Sequence, residues 1–480
     1  MRNYTRLYLN GEWVRPLAGE VVDVINPATE SPAGKITLAT IADVDNAAVA
    51  ARAAFVTFSR SSRQERLDLL AKILSVYGKR SQDLADALTE DLGAPAKFAK
   101  ETQVGVGFLH LRTAIAALKN YSFEHPQGPP TMIRREPIGV VGMITPWNWP
   151  INQIMVKVLP ALATGCTIVH KPSEIAPFSA HVLAEVFHEA GVPAGVYNLV
   201  DGDGSTIGAA ISSHPKLDMV SFTGSTAAGI DVAKRAADTV KRVHAELGGK
   251  SPNVVLNDAD LASAVTSNVY RLMMNSGQTC HAPTRLLVPH DKMKAASAIA
   301  KQAAESITVG DPTADVYMGP VVSARQRARI RSLIEAGIET GATLLTGGPG
   351  HPDGLATGFY VRPTVFGDVT NDMRIAREEI FGPVLCIIGY DDVDNAVAIA
   401  NDTDYGLAAY VQSATDERAN EVAARLEAGV VFVNGAGEDP EAPFGGYKKS
   451  GNGREWGEIA FGEFLETKAV VHAVDPHVHS

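Results

Sequence analysis

Cysteine is scarce in this sequence: Cys166, Cys280 and Cys386 are the only three in 480 residues, and no CxxC pair occurs. That is too few and too scattered for a disulfide framework or a zinc site, so no metal is expected and a reducing compartment fits. Long apolar runs are also missing. No uninterrupted stretch approaches the roughly 20 residues that cross a bilayer, and the opening MRNYTRLYLNGEW lacks the apolar core of a signal peptide. A soluble, cytoplasmic protein without a membrane partner is expected. Positive charge is in deficit, with 43 basic residues against 54 acidic ones and a formal net charge of −11. This balance argues against nonspecific nucleic-acid binding. The densest basic patch, Arg325, Arg327, Arg329 and Arg331, has alternate spacing that spreads it around a helix, so it reads as solvated surface. Internal repeats and low-complexity segments are absent.

The chain is 45% hydrophobic and 20% charged, which excludes disorder on the scale of a domain. Its length suggests about three compact units. Leu7-Tyr8-Leu9 and Glu12-Trp13-Val14 flank Asn10-Gly11, a strong hairpin signal. From Ile41 to about Leu118 the apolar spacing is helical, with a break at Gly93-Ala94-Pro95. Past a break at His125–Pro130, strands and helices alternate: a strand at Gly139–Ile144, a helix at Asn152–Leu162, a strand at Thr167–His170 and a helix at Ser179–Glu189. Val196–Val200 and Met219–Phe222 continue the series, which predicts a parallel sheet covered on both faces. A second α/β series begins near Asn253–Leu256 and runs to about residue 435. Thr467–Val471 reads as a strand with no neighbour in sequence to pair with.

Three segments carry possible chemistry. Phe222-Thr223-Gly224-Ser225-Thr226 follows a strand and opens a helix, whose N-terminal N–H groups suit a phosphate. The usual GxGxxG is absent, so the segment alone is equally compatible with an ordinary strand–turn–helix junction. Cys280 has small polar neighbours, unlike Cys166 and Cys386, which sit in apolar settings; that context suits either an accessible nucleophile or an inert thiol. Glu246 stands at a strand end beside Gly248 and Gly249, where a carboxylate is a general base or simply solvated.

Seven segments in order decide among these readings. They are Thr145-Pro146-Trp147-Asn148-Trp149-Pro150, Lys171-Pro172-Ser173-Glu174, Phe222–Thr226, Glu246-Leu247-Gly248-Gly249-Lys250, Gly277-Gln278-Thr279-Cys280, Glu378–Pro383 and Pro443–Lys448, the last continuing to Glu455. Over nearly the whole chain the sequence resembles the aldehyde dehydrogenase superfamily, of the NAD(P)-dependent, non-acylating type.

The resemblance implies an α/β fold with two Rossmann-like domains, for cofactor and catalysis, plus a small β oligomerisation element. The implied boundaries are 1–120 and 141–247 for the NAD-binding domain, 248–449 for the catalytic domain, and 121–140 with 465–480 for the oligomerisation element, while 450–464 returns to the cofactor domain. A homodimer or homotetramer is implied. In catalysis, Cys280 attacks the aldehyde, Asn148 and the Cys280 N–H hold the oxyanion, Glu246 activates the hydrolytic water, and Glu455 takes part in proton relay. Thr145, Trp147, Lys171, Ser173, Glu174, Gly224, Ser225, Leu247, Glu379 and Phe381 are implied to bind the cofactor. Glu174 favours NAD over NADP by repelling a 2′-phosphate. The implied substrate pocket comprises Trp149, Asn152, Gln153, Val156 and Met274. Helical spacing puts Asn152 and Val156 on one stripe with Gln153 beside it, and these amides favour a polar aldehyde over a long alkyl one. Glu438, Asp439 and Glu441 are expected near the tunnel mouth.

The sequence departs from the family pattern where Met273 and Met274 replace an aromatic residue before the catalytic segment, and where His281 follows Cys280. Both bear on the substrate. His472, His477 and His479 read as a flexible tail rather than a metal site. Two rival readings remain: a CoA-acylating semialdehyde dehydrogenase, against which Glu246 argues, and a catalytically retired binding protein, against which Cys280, Glu246 and Asn148 argue together.

Overall fold

The computed structural model describes residues 1–473; His477 and His479 lie outside the described residues. Strands Val140–Ile144, Thr167–Lys171, Met219–Thr223, Arg242–Glu246 and Tyr197–Leu199 form the parallel centre of an eight-stranded sheet. Val140–Ile144, Thr167–Lys171 and Met219–Thr223 are buried along their full length. Helices cover both faces of such a sheet, which is why these strands are near-continuous apolar runs rather than alternating ones. The Leu7–Leu9 and Glu12–Val14 hairpin closes one edge. Its turn residues Asn10 and Gly11 have φ of 51° and 82°, as a tight type I′ turn requires. Gly451–Asn452 closes the other edge, antiparallel to the end of Arg242–Glu246.

The helical stretch resolves into Ile41–Phe58, Arg63–Lys79, Ser81–Asp91 and Val104–Asn120, with Gly93-Ala94-Pro95 between the third and fourth. Thr40 with Asp43 and Ser62 with Glu65 form reciprocal capping boxes at the first two starts. The Pro150–Thr164 helix has Pro150 in its first turn and ends at Gly165 in the left-handed region, and only Asn152 of its 15 residues is not buried.

A second, seven-stranded sheet is built from residues after Glu246. Its order runs Thr343–Thr346, Thr364–Gly367, Val384–Tyr390, Arg285–Pro289, Pro252–Val255, Ala408–Gln412 and Val430–Val433, all parallel except the first strand. Only Leu247–Ser251 separates the last long strand of one sheet from Pro252–Val255 of the other. Leu465–Val471 finds its partner within the chain: it pairs antiparallel with Thr131–Pro137, from Leu465 opposite Pro137 to Val471 opposite Thr131. Glu124–Pro126 completes that sheet, so Leu465–Val471 is an edge strand, and it is largely exposed. Among the described residues no helix is long and apolar enough to cross a membrane.

Candidate active site

The Leu261–Met273 helix stops abruptly before Cys280. Asn275, Ser276 and Gly277 then take φ of 53°, 57° and 72° in succession. Left-handed backbone costs a non-glycine residue of order 1–3 kcal/mol and persists only where the surroundings enforce it. Here they do. Asn275 Nδ2 donates to the Asn148 carbonyl at 2.8 Å, Ser276 Oγ to the Gly319 carbonyl at 2.8 Å, and Val322 N to Gln278 Oε1 at 2.9 Å. A side chain at Gly277 would fall 2.2 Å from the Gly382 backbone. The loop therefore presents Cys280 from a fixed frame.

The sulfur stands between two environments. On one side it packs against Val156, Leu407, Phe444 and Trp456; the Phe444 and Trp456 rings stack at 4.7 Å. On the other it lines a cleft of about 1040 Å³. Burial, then Glu379, Glu246 and Glu438, push its thiol above the usual range. Asn148 Nδ2 donates to the Gln278 carbonyl at 3.2 Å. An amide carries two N–H groups, so one remains for an oxyanion.

Glu246 ends its strand in a buried polar nest. His244, two residues earlier and on the same face, brings Nε2 to 3.4 Å from Glu246 Oε1, while Oε2 has no partner. Burial first, and the neighbouring Glu455 second, hold the Glu246 carboxyl well above the ordinary range, although Lys157 and Arg454 pull it down. Glu455 is itself paired with Lys157, and both are buried. Lys157 did not emerge from the sequence as a site residue, yet a signal was present: it is the one charge in the apolar helix PINQIMVKVLPALAT.

The cleft gathers Trp147, Asn148, Gln153, Gly224, Ser225, Leu247, Cys280, Glu379 and Phe381 from the expected set. Ser225 caps the Thr226–Ala236 helix, whose N-terminus opens on the cleft. The Thr223 hydroxyl there is buried without a partner. Glu379 accepts from Gly249 N at 3.1 Å, and burial raises its pKa to about 7. Any side chain at Gly248 would strike that carboxylate. Trp147 and Phe381 meet edge to face at 5.4 Å. Size, an open helix N-terminus and an unpaired hydroxyl fit a dinucleotide.

Other expected residues stand outside the cleft lining. Thr145 bonds to His170 at 2.9 Å, and Ser173 Oγ accepts from Ile175 N. Lys171 Nζ donates to the carbonyls of Gly202 and Pro172 at 2.5 and 2.8 Å, and meets Glu174 at 3.3 Å. Trp149 Nε1 donates to Thr279 Oγ1 at 3.0 Å, and Met274 caps the end of the Leu261–Met273 helix. The Asn152 carbonyl oxygen is engaged: its Oδ1 lies 2.7 Å from His110 Nε2. Burial holds His110 at about 4, so the ring is neutral and Nε2–H donates.

One feature was not legible in the sequence. Arg325 and Arg329 are not merely solvated surface, since both line the cleft. They are four apart on the Ala324–Glu339 helix and so share a face. Glu438 does reach the site, where it pairs with His281 at 2.8 Å.

A sequence model described as the aldehyde dehydrogenase family matches residues 13–470. The chain is 52% identical to a 3-succinoylsemialdehyde-pyridine dehydrogenase of a Pseudomonas species, over 98% of this chain and 99% of that one. Its fold matches a mutant of Aldehyde Dehydrogenase C from Pseudomonas syringae, solved with NAD+ and octanal, at a TM-score of 0.96 and 49% identity, over 97% and 96% of the two chains. An aldehyde dehydrogenase from Bartonella henselae matches at 0.97 and 46%, over 98% and 100%. The chain belongs to the aldehyde dehydrogenase family.

Proposed function

We propose that this protein oxidises an aldehyde to a carboxylate with NAD, through a thioester on Cys280 that is hydrolysed by water. The carrying observation is the position of Cys280, which lines the large cleft and also packs against the aromatic pair Phe444 and Trp456. A thiolate there would meet an aldehyde held against the aromatic pair, and the cleft would hold the NAD. The sulfur bonds to the carbonyl carbon, and the π pair moves to oxygen. The free N–H of Asn148 and the Cys280 backbone N–H hold that oxyanion. NAD, when bound, supplies the acceptor for the hydride that leaves this carbon; the P. syringae neighbour was solved with NAD+.

Glu246 serves the second half of the reaction. Burial raises its pKa and so strengthens it as a base once ionised, and the unpartnered Oε2 is free to accept a proton from water. The Glu455–Lys157 pair gives that proton an onward path. Glu174, fixed by Lys171, would hold the adenosine ribose, Ser225 would face the pyrophosphate, and Glu379 would hold the nicotinamide ribose. The largely exposed edge of Leu465–Val471 supports a homo-oligomer assembled across that strand.

The substrate is a functionalised aldehyde with a ring or short polar chain. The name of the Pseudomonas relative, a semialdehyde-pyridine dehydrogenase, supports this class, whereas octanal in the P. syringae complex marks the alternative. Gln153 carries the argument within the chain, because its Oε1 is buried without a partner and lines the cleft. Cys280→Ala tests the whole reading. NADH release from a panel of aldehydes should fall by several powers of ten while NAD still binds. Retention of a tenth of wild-type turnover would refute a Cys280 thioester, and a requirement for CoA would replace hydrolysis with thiolysis.

A further inference from the structure

The residue after Cys280 is His281, and its ring is clamped rather than loose. Cys280 Sγ lies 3.9 Å from His281 Nδ1, and His281 Nε2 lies 2.8 Å from Glu438 Oε1. The three groups come from two distant parts of the chain, the catalytic loop and the loop that follows strand Val430–Val433. Tyr410 donates its hydroxyl to the His281 carbonyl at 2.9 Å, and Phe444 meets the imidazole edge on at 5.8 Å. Backbone and ring are thus both held.

Glu438 decides which nitrogen carries the proton. An ionised carboxylate only accepts, so Nε2 must donate, and Nδ1 is left as a bare acceptor turned to the thiol. Burial works against ionisation of Glu438, but the hydrogen bond from His281 and the charge of Arg271 favour the carboxylate, and the carboxyl is held below its usual range. The sulfur needs such an acceptor. It is packed among apolar side chains, and the charged groups facing it, Glu246, Glu379 and Glu438, are all carboxylates that oppose a thiolate.

We propose that His281, oriented by Glu438, takes the proton from Cys280, so that this protein uses one base to form its nucleophile and another to activate water. The proposal rests on Cys280 being the nucleophile. In the step, the S–H bond breaks, its electron pair stays on sulfur, and the proton joins Nδ1. The imidazolium is then flanked by the thiolate and by Glu438, with the Arg271 charge near the carboxylate and His110 neutral. Glu246 is left for the later hydrolysis, where its contact with His244 already holds it. His281 is a catalytic residue in this scheme, because it touches the reacting sulfur; Glu438 is a positioning residue.

Iodoacetamide alkylation of full-length protein tests this without a substrate. The Cys280 peptide is followed by mass spectrometry across pH in wild type, His281→Asn and Glu438→Gln, with NAD binding as the check on folding. Buried Cys166 and Cys386 serve as slow internal references. His281→Asn should slow alkylation at pH 7 about tenfold or more and move its inflection to higher pH, as expected when thiolate is lost. Glu438→Gln keeps an acceptor for Nε2 but removes the charge, so its profile should fall between the two with NAD affinity unchanged. Superimposed profiles for wild type and both variants overturn the proposal. If His281→Asn fails to bind NAD, Glu438→Gln decides alone: an unshifted profile overturns the proposal and a shifted one upholds it. Cys280→Ala separates the two readings. Should it keep its activity on octanal, the nucleophile assignment fails and His281 fails with it; should it be inactive while the profiles superimpose, only the role of His281 falls.

Discussion

Lys157 donates to Glu455 at a point where neither side chain reaches solvent, and Glu246 feels both charges. Removing one member of such a pair strands a buried charge, which costs about 3–5 kcal/mol. Lys157→Met should therefore lower unfolding stability in urea by about 3 kcal/mol. Lys157→Met/Glu455→Leu should recover most of that loss, because a matched apolar pair leaves no charge behind. A double variant no more stable than the single would show that the pair is not the source of the cost.

Burial, and the same ion pair after it, set the pH behaviour of Glu246. Burial and Glu455 raise its pKa, whereas Lys157 lowers it. A carboxyl with a raised pKa is protonated, and useless as a base, at low pH, and it becomes competent as pH rises through the raised value. Thioester hydrolysis should increase with pH along that limb. Glu246→Gln should abolish the limb and produce a burst of about one NADH per site followed by slow turnover. Rapid mixing checks this; slow release without a burst would move Glu246 out of the hydrolytic step.

What was legible in the sequence follows from how local each signal is. The two parallel sheets could be read from alternating apolar strands and helices, and the left-handed turn at Asn10-Gly11 from two residues. Cys280 and Glu246 stood out because ordered motifs surround them. Lys157 was readable in principle, as a lone charge in an apolar helix. The His281–Glu438 pair was not, because 157 residues separate its members and only tertiary packing joins them. Asn152 shows the opposite failure: helical spacing places it on one stripe with Val156, but His110 arrives from the Val104–Asn120 helix and takes its carbonyl oxygen. Arg325 and Arg329 needed the four-residue spacing rather than the alternate one to be seen as one face.

Cofactor choice should turn on Glu174. Lys171 Nζ has three N–H groups, and Gly202, Pro172 and Glu174 engage them all. The lysine is thus committed to holding the loop and its carboxylate rather than offering a free charge to a 2′-phosphate. Glu174→Ser should raise kcat/KM for NADP relative to NAD by about tenfold or more, since the repulsive carboxylate is gone. An unchanged ratio would mean that Glu174 does not face the adenosine ribose.

Gln153 and Asn152 are adjacent amides with different expected effects on substrate choice. Gln153 Oε1 is buried and unpartnered at the cleft, whereas Asn152 Oδ1 already accepts from neutral His110. An alkyl chain leaves Gln153 unsatisfied, at a cost of about 1–3 kcal/mol, while a polar substrate can pair with it. Gln153→Met should accordingly shift the kcat/KM ratio of hexanal to succinic semialdehyde toward hexanal by roughly 5- to 100-fold. Asn152→Leu should strand the His110 N–H, destabilise the protein by about 1–3 kcal/mol and leave the ratio nearly unchanged. Steady-state rates on the two aldehydes, with urea unfolding of each variant, separate the cases. If wild type prefers hexanal and Gln153→Met leaves that preference alone, the buried amide does not read the substrate and the aromatic pair Phe444 and Trp456 selects it by apolar contact.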